Sequence, residues 1–247
     1  MPLYSATCPL PKNQMLRRHQ ASTPFSPIDI AGISLWLKAD AGLTVDGNDF
    51  VTAWADQSGN GNNCSSPNNV EFLSSPYSSL YFDGDNSESE ITLNSNVFNG
   101  FSALSLFAVW NITDSGNNGI LGSTNYSNFE IVTQDGSVVR MRNDNYDSNI
   151  NIGGLWYAEE FCLSTITADS AGGGSGTARR NGSTTGVDFD DANIEALQSG
   201  QTYKIGVYGE SYFAYLSIAE LIVYSEELNG SQIDQVEAYL NDKYAIY

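Results

Sequence analysis

The loop Asp56-Gln57-Ser58-Gly59-Asn60-Gly61-Asn62-Asn63 places carboxylate and amide oxygens on a glycine-rich turn. Calcium takes oxygen ligands of this kind, and Asp83 and Asp85 are acids that a fold could bring beside Asp56 and Asn60. The same residues suit a second role, in which Asp56 and Asn60 cap backbone groups while the glycines take positive φ. A second group occupies residues 123–129 and 143–157, where aromatic side chains stand among amides and acids. Aromatic faces stack on sugar rings while neighbouring amides and carboxylates bind hydroxyls. Tyr126, Asn128, Asn145, Tyr146, Trp156 and Tyr157 are therefore candidate saccharide contacts. Loops rich in Tyr, Asn and Asp are also ordinary surface in an acidic β protein. A third group is basic: Lys12, Arg17, Arg18 and His19.

Much chemistry is excluded. His19 is the one histidine of the chain, so a Ser-His-Asp triad cannot be assembled in the body. The segment Ser170-Ala171-Gly172-Gly173-Gly174-Ser175-Gly176 lacks the Gly-Lys-Ser/Thr end and following helix of a phosphate loop, and reads as a hairpin tip. Cys8, Cys64 and Cys162 are odd in number and widely spaced, which predicts reduced thiols rather than a disulfide framework or metal cluster. No apolar run approaches the roughly 18 residues of a membrane span.

Charge divides the chain in two. Residues 1–28 hold Lys12, Arg17 and Arg18, no acid, and five of the seven prolines. The remainder carries 7 basic against 29 acidic residues, a net of −22. A body this acidic repels nucleic acid and anionic membranes at long range. Proline at the density of the first segment blocks helix and interior strand. It predicts an extended arm over residues 1–29, lying on a partner or packed on its own domain, in front of one domain over 30–247.

That domain reads as β throughout. Strands are predicted at Ile33 to Leu37, Phe50 to Trp54 after an Asp46-Gly47 turn, Ser79 to Phe82 and Glu90 to Leu93. Phe101 to Ile112 is a long run with few polar breaks, as a central strand buried on both faces would be. Asn128 to Thr133 and Ser137 to Arg142 flank Asp135-Gly136, a two-residue hairpin signal. Phe161 to Ala168, Thr177 to Arg180 before Asn181-Gly182, Thr202 to Tyr208 and Ala214 to Tyr224 complete the set. Trp36 and Trp54, with alternating apolar neighbours, belong to the core. One helix is predicted at about 230–242: Asn229 caps it with Gln232 at N3, and Ile233, Val236 and Leu240 share a face. Lys243 to Tyr247 then remain to pair with the first strand.

Two stretches carry a family likeness. Leu35-Trp36-Leu37-Lys38-Ala39-Asp40 with Trp54-Ala55-Asp56-Gln57-Ser58-Gly59-Asn60 opens the domain, and Ile218-Ala219-Glu220-Leu221-Ile222-Val223-Tyr224 with Leu240-Asn241-Asp242-Lys243-Tyr244 closes it. Together they resemble the bookends of laminin-G-like, concanavalin-A-like jelly rolls of bacterial surface proteins and phage particles. The resemblance implies an all-β, two-sheet antiparallel jelly-roll sandwich with one C-terminal helix. It says less of function, because this fold carries lectins, hydrolases, lyases and structural modules. The Glu-x-Asp-x-x-Glu string of sandwich glucanases, which would point three carboxylates into one cleft, is absent. Glu88-Ser89-Glu90 is the nearest string, and it reads as a solvated acidic turn. With one histidine, the His/Tyr pair of sandwich lyases is missing as well.

The sequence therefore predicts a non-catalytic protein. One reading is a virion structural protein, a capsid decoration or a tail-fibre or head-fibre adhesion module. It would dock on other virion proteins through residues 1–28, display a lectin-like sandwich, and be assembled in the host cytoplasm. The other is a carbohydrate-binding module of a bacterial surface or secreted protein. The N-terminus lacks a hydrophobic stretch of signal-peptide type, which favours the first. Partners would be the particle and cell-surface polysaccharide, without nucleic acid or membrane insertion; an arm of this kind also permits a homo-oligomer.

Overall fold

A computed structural model describes residues 24–84, 88–94, 97–113, 116, 119–124, 129–134, 138–143, 148–153, 160–169, 176–184, 188–189, 197, 199–209 and 211–247. The chain enters through a 3-10 turn at Pro27–Asp29 and strand β1 (Ile33–Lys38). β2 (Leu43–Val45) and β3 (Val51–Trp54) form a separate hairpin across the predicted turn, whose Asp46 carboxylate accepts from the Asn48 and Phe50 amides. β4 (Ser65–Asn68), β5 (Val70–Leu73), β6 (Ser79–Phe82) and β7 (Glu90–Thr92) precede the long β8 (Ala103–Ile112). A meander follows of β9 (Gly119–Ser123), β10 (Glu130–Gln134), β11 (Val138–Asn143) and β12 (Ser148–Gly153). Then come β13 (Cys162–Asp169), β14 (Thr177–Arg180), β15 (Asp188–Phe189), β16 (Tyr203–Ile205), β17 (Val207–Tyr208) and β18 (Tyr212–Phe213). β19 (Leu216–Tyr224) and helix α1 (Gly230–Tyr244) end the fold.

Two large sheets stack as a sandwich. The seven-stranded sheet runs β14-β13-β8-β19-β6-β5, and β1 joins it along the second half of β19, end to end with β6. The ten-stranded sheet runs β15-β12-β11-β10-β9-β16-β7-β4 with the β17–β18 pair attached. Among the described residues, pairing is antiparallel except for one bridge, Phe213 to Gly119. Leu80, Phe82, Leu106, Trp110, Phe98, Phe129 and Tyr203 fill the space between the sheets. β8 is indeed central and buried on both faces: Leu104, Leu106 and Ala108 look into the sandwich, while Phe107 and Val109 look outward.

That outward surface carries α1. Ile233, Val236, Leu240 and Tyr244 pack on Trp36, Phe107, Val109, Leu163, Ile222 and Tyr224. Asn229 accepts from the Gln232 amide and Gln232 returns the bond to Asn229, as predicted. The tail corrects the sequence reading. Helix continues to Tyr244, Ala245 caps it in a left-handed conformation, and Tyr247 hydrogen-bonds back to Asn241 rather than to β1. β1 has no room for it, because β19 occupies one edge and the 56–63 loop the other, where Trp36 donates to Asp56 and accepts from the Gln57 amide.

The predicted strand Thr202 to Tyr208 is broken by Gly206. Its φ is +88°, and a Cβ there would meet the Phe82 ring and lie 2.6 Å from the Ser89 carbonyl. Backbone of this kind favours glycine, and it turns β17 out of line with β16.

Candidate functional site

The bookend motifs meet in one buried polar cluster. β19 alternates Leu216 and Ile218 inward, then Leu221 and Val223 inward, with Ala219 as the extra residue of a bulge against β8. A bulge shifts the phase of a strand by one residue. Glu220 is thereby turned from the inter-sheet core to the helix side, where it is fully buried. Its Oε1 accepts from the Trp36 indole at 2.6 Å and from the Tyr239 hydroxyl at 3.0 Å. Its Oε2 accepts from Lys243 at 2.6 Å and from the Tyr244 hydroxyl at 2.8 Å. Lys243 also reaches Asp40 at 3.0 Å. Burial and then the Glu220 charge push the Tyr239 and Tyr244 phenols well above the usual tyrosine range. A second polar pin holds the same helix: Glu237 accepts from Thr165 at 2.7 Å and pairs with Arg179 at 3.1 Å. With every acceptor position of Glu220 used, the cluster is a clamp joining β1, β19 and α1. Trp36 is core, but core beneath the helix.

The loop at 56–63 takes the capping role. The Asp56 carboxylate accepts from the Trp36, Ser58 and Asn62 amides at 3.0, 2.9 and 3.0 Å, and from the Ser58 hydroxyl at 2.7 Å. Asn60 donates to the Ile33 carbonyl at 2.8 Å. Gly59 and Gly61 take positive φ, as expected of such a turn. Asp83 lines a different groove, whose lining does not include Asp56 or Asn60. No group of three metal-ligating side chains occurs among the described residues. The structure thus separates Asp56 and Asn60 from Asp83, while Asp85 lies outside the described residues.

So do Lys12, Arg17, Arg18 and His19, and so do Tyr126, Asn128, Asn145, Tyr146, Trp156 and Tyr157. The end of the arm is described. Phe25 packs edge-on against Tyr239 at 6.4 Å, and the Pro27 carbonyl accepts from Tyr224 at 2.9 Å. A groove of about 580 Å³ opens there between Pro24, Phe25 and the helix residues Gln235, Ala238 and Tyr239. Glu90 of the Glu88-Ser89-Glu90 string pairs with Lys204 at 2.6 Å on the neighbouring strand. Cys64 and Cys162 are buried, and burial followed by the Asp56 charge pushes the Cys64 thiol up to about 12.

Aromatic faces and polar side chains also meet on an open part of the sheet. The outer surface of the seven-stranded sheet extends beyond α1 onto β6 and β5. There Phe50, Asn69, Glu71, Tyr81 and Asp83 line an open groove of about 300 Å³. β5 and β6 position it: Leu80 and Phe82 turn into the sandwich, so Tyr81 between them turns out, directly opposite Glu71. Burial, then Asp83 and Glu71, raise the Tyr81 phenol above its ordinary value of about 10, at which the hydroxyl is already a proton donor at neutral pH. The ring can stack on an apolar ring face while carboxylates and the Asn69 amide take hydroxyls. Asp83 was reached from sequence as a metal ligand. Glu71, Tyr81, Phe50 and Asn69 were not singled out, although the inward–outward alternation around Tyr81 was readable.

No protein-family model matches the chain, and no curated protein matches it in sequence. Solved structures do. The binding domain of Paraclostridial Mosquitocidal Protein 1 matches with a TM-score of 0.64 at 16% identity, over 87% of this chain and 54% of that one. The binding domain of botulinum neurotoxin DC in complex with SialylT gives 0.60 at 16%, over 87% and 52%. Trypanosoma rangeli sialidase in complex with sialic acid gives 0.60 at 14%, over 87% and 33%. The chain spans about half the length of the toxin binding domains that it matches. At these identities the likeness is one of architecture: the chain shares with them a two-sheet β-sandwich.

Proposed function

We propose that this protein is a non-catalytic, lectin-like binding module of laminin-G-like type, which takes carbohydrate on the outer surface of its seven-stranded sheet. The observation that carries the reading is the groove of Phe50, Asn69, Glu71, Tyr81 and Asp83, where aromatic faces and hydrogen-bonding groups share one open site on strands. Sites built on strands hold their side chains better than loops do. The fold supports it too, since similar sandwiches occur in toxin binding domains, one of them solved with a sialylated ligand. The non-catalytic reading rests on the sequence: one histidine, and no carboxylate triplet of the glucanase kind.

The setting we propose is the surface of a phage particle. The acid-free arm would meet acidic groups on the particle, and the acidic body would project outward. Deleting residues 1–23 should leave a folded sandwich that no longer joins its assembly; normal incorporation of the truncated protein would refute the tether. Binding is tested separately on a glycan array with the wild type and Tyr81→Ala. The expected result is retention of a carbohydrate set that Tyr81→Ala loses. Equal retention by both proteins, or none by the wild type, would refute the site.

A further inference from the structure

The groove does not stand alone on its sheet. Tyr81 pairs with Ser217 of β19, and Ser217 pairs with Asn111 of β8. Leu216, Ile218, Trp110 and Ile112 all turn into the sandwich, so Ser217 and Asn111 turn outward with Tyr81 and Glu71. Beyond Asn111 lies a second groove, of about 350 Å³, lined by Pro76, Tyr77, Asn111, Glu160, Phe161 and the helix end at Ala245 and Ile246. Tyr77 and Phe161 stand edge to face there at 5.3 Å. The Asn111 side-chain oxygen is buried and has no hydrogen-bond partner among the described residues. A buried acceptor left without a donor is costly, and a ligand hydroxyl can supply one. Glu71, Tyr81, Ser217 and Asn111 thus form one cross-strand row, with an aromatic groove at each end.

We infer that the two grooves are the ends of a single track for an extended, unbranched, uncharged oligosaccharide. The inference rests on the reading above and goes further, because it fixes the length, direction and charge of the ligand. Strands lie about 4.8 Å apart, so the row from Glu71 to Asn111 is about 14 Å long. That spacing is close to the repeat of a β-linked pyranose chain, which places about one ring per strand. A chain crossing the strands would stack at Tyr81, pass Ser217 and give a hydroxyl to Asn111. Glu71, Asp83 and Glu160 stand at both ends, in a protein of net charge −19, and repel carboxylated sugars.

The test is calorimetry with cello- and chito-oligosaccharides from dimer to hexamer, with sialyllactose and oligogalacturonate as anionic probes. Affinity should rise with length to about the tetramer and then level, and the anionic probes should not bind. The loss in Asn111→Ala should grow with chain length and reach about tenfold for the tetramer, the worth of one or two hydrogen bonds. Asn111→Ser, compared by thermal unfolding, provides a second variant if the alanine form is unstable. Equal affinity for dimer and hexamer, with no effect of either Asn111 variant, would overturn the track while leaving a single saccharide groove in place. Tighter binding of the anionic probes would also overturn it. Failure of every saccharide to bind would overturn both readings together.

Discussion

The outer surface of the seven-stranded sheet has two halves that obey the same alternation and end up opposite in character. Beneath α1 the outward residues are Trp36, Phe107, Val109, Ile222 and Tyr224; on the open half they are Glu71, Tyr81, Ser217 and Asn111. One strand, β19, serves both. Its first part offers Ser217 to the open half, and after the bulge its second part offers Glu220, Ile222 and Tyr224 to the helix. Strand structure therefore does not distinguish a surface to be covered from one to be left free. Coverage depends on whether a second element brings both apolar area and partners for the polar groups it traps. The helix brings Ile233, Val236 and Leu240 for the first purpose, and Lys243, Tyr239 and Tyr244 for the second.

The sharpest way to break this contrast is Glu220→Ala. It would strand the Lys243 ammonium, the Trp36 indole and two phenols without their shared acceptor. Removing one side of a buried charge pair costs about 3–5 kcal/mol. Urea unfolding should show a loss in that range, and a loss below about 1 kcal/mol would mean that the clamp does not hold the helix. Next comes Leu240→Ala, which empties a fully buried apolar position and should cost about 2–4 kcal/mol by the same measurement.

A smaller effect sharpens the comparison through pH. Burial holds the Tyr224 and Tyr244 phenols above their ordinary value of about 10, with Asp29 adding to the first and Glu220 to the second. Below about pH 10 both folded and unfolded chains keep these protons, and the stability they represent is present in full. Above it the unfolded chain releases them first. Stability should then fall by up to about 1.4 kcal/mol per pH unit for each phenol. Tyr244→Phe should flatten the fall between about pH 10 and 11 in urea titrations; an unchanged slope would mean that the hydroxyl is not shielded by the helix. The smallest expected change lies on the open half. Tyr81→Ala should alter unfolding stability by less than about 1 kcal/mol, because half-exposed positions outside the core contribute little. A larger loss would show that the open half is structural surface after all.

Much of the fold could be read in the residues. Ser79 to Phe82 and Thr177 to Arg180 are strands over the predicted bounds, and the Asn229 cap and the helical face of Ile233, Val236 and Leu240 are as the spacing implied. Local signals suffice for such elements. β2 and β5 escaped because they are short, and β4 because it is polar, carries Pro67 and pairs with β7, which lies further along the chain. The candidate site escaped because register builds it. Glu71 and Tyr81 face each other across a hairpin, whereas Ser217 and Asn111 lie far away in sequence and become neighbours only through the pairing of β19 with β6 and β8. Asp56 was read with both roles open, and the surrounding amide donors decide in favour of capping. The residues chosen for sugar binding between 126 and 157 lie outside the described residues.

The extra residue at Ala219 has a further consequence, for folding fidelity. Slipping a strand by one place exchanges its two faces, and a uniformly alternating strand can make that error along its whole length. β19 is written in two phases, inward at 216 and 218 and again at 221 and 223. No single sliding of the strand can satisfy both halves. If the first half moves by one residue, Ser217 enters the sandwich; if the second does, Glu220 goes into apolar surroundings with its partners left behind. Misregistered pairing with β8 is therefore penalised in at least one half wherever it starts. The irregularity in the ladder works as a key that admits one alignment of the two central strands.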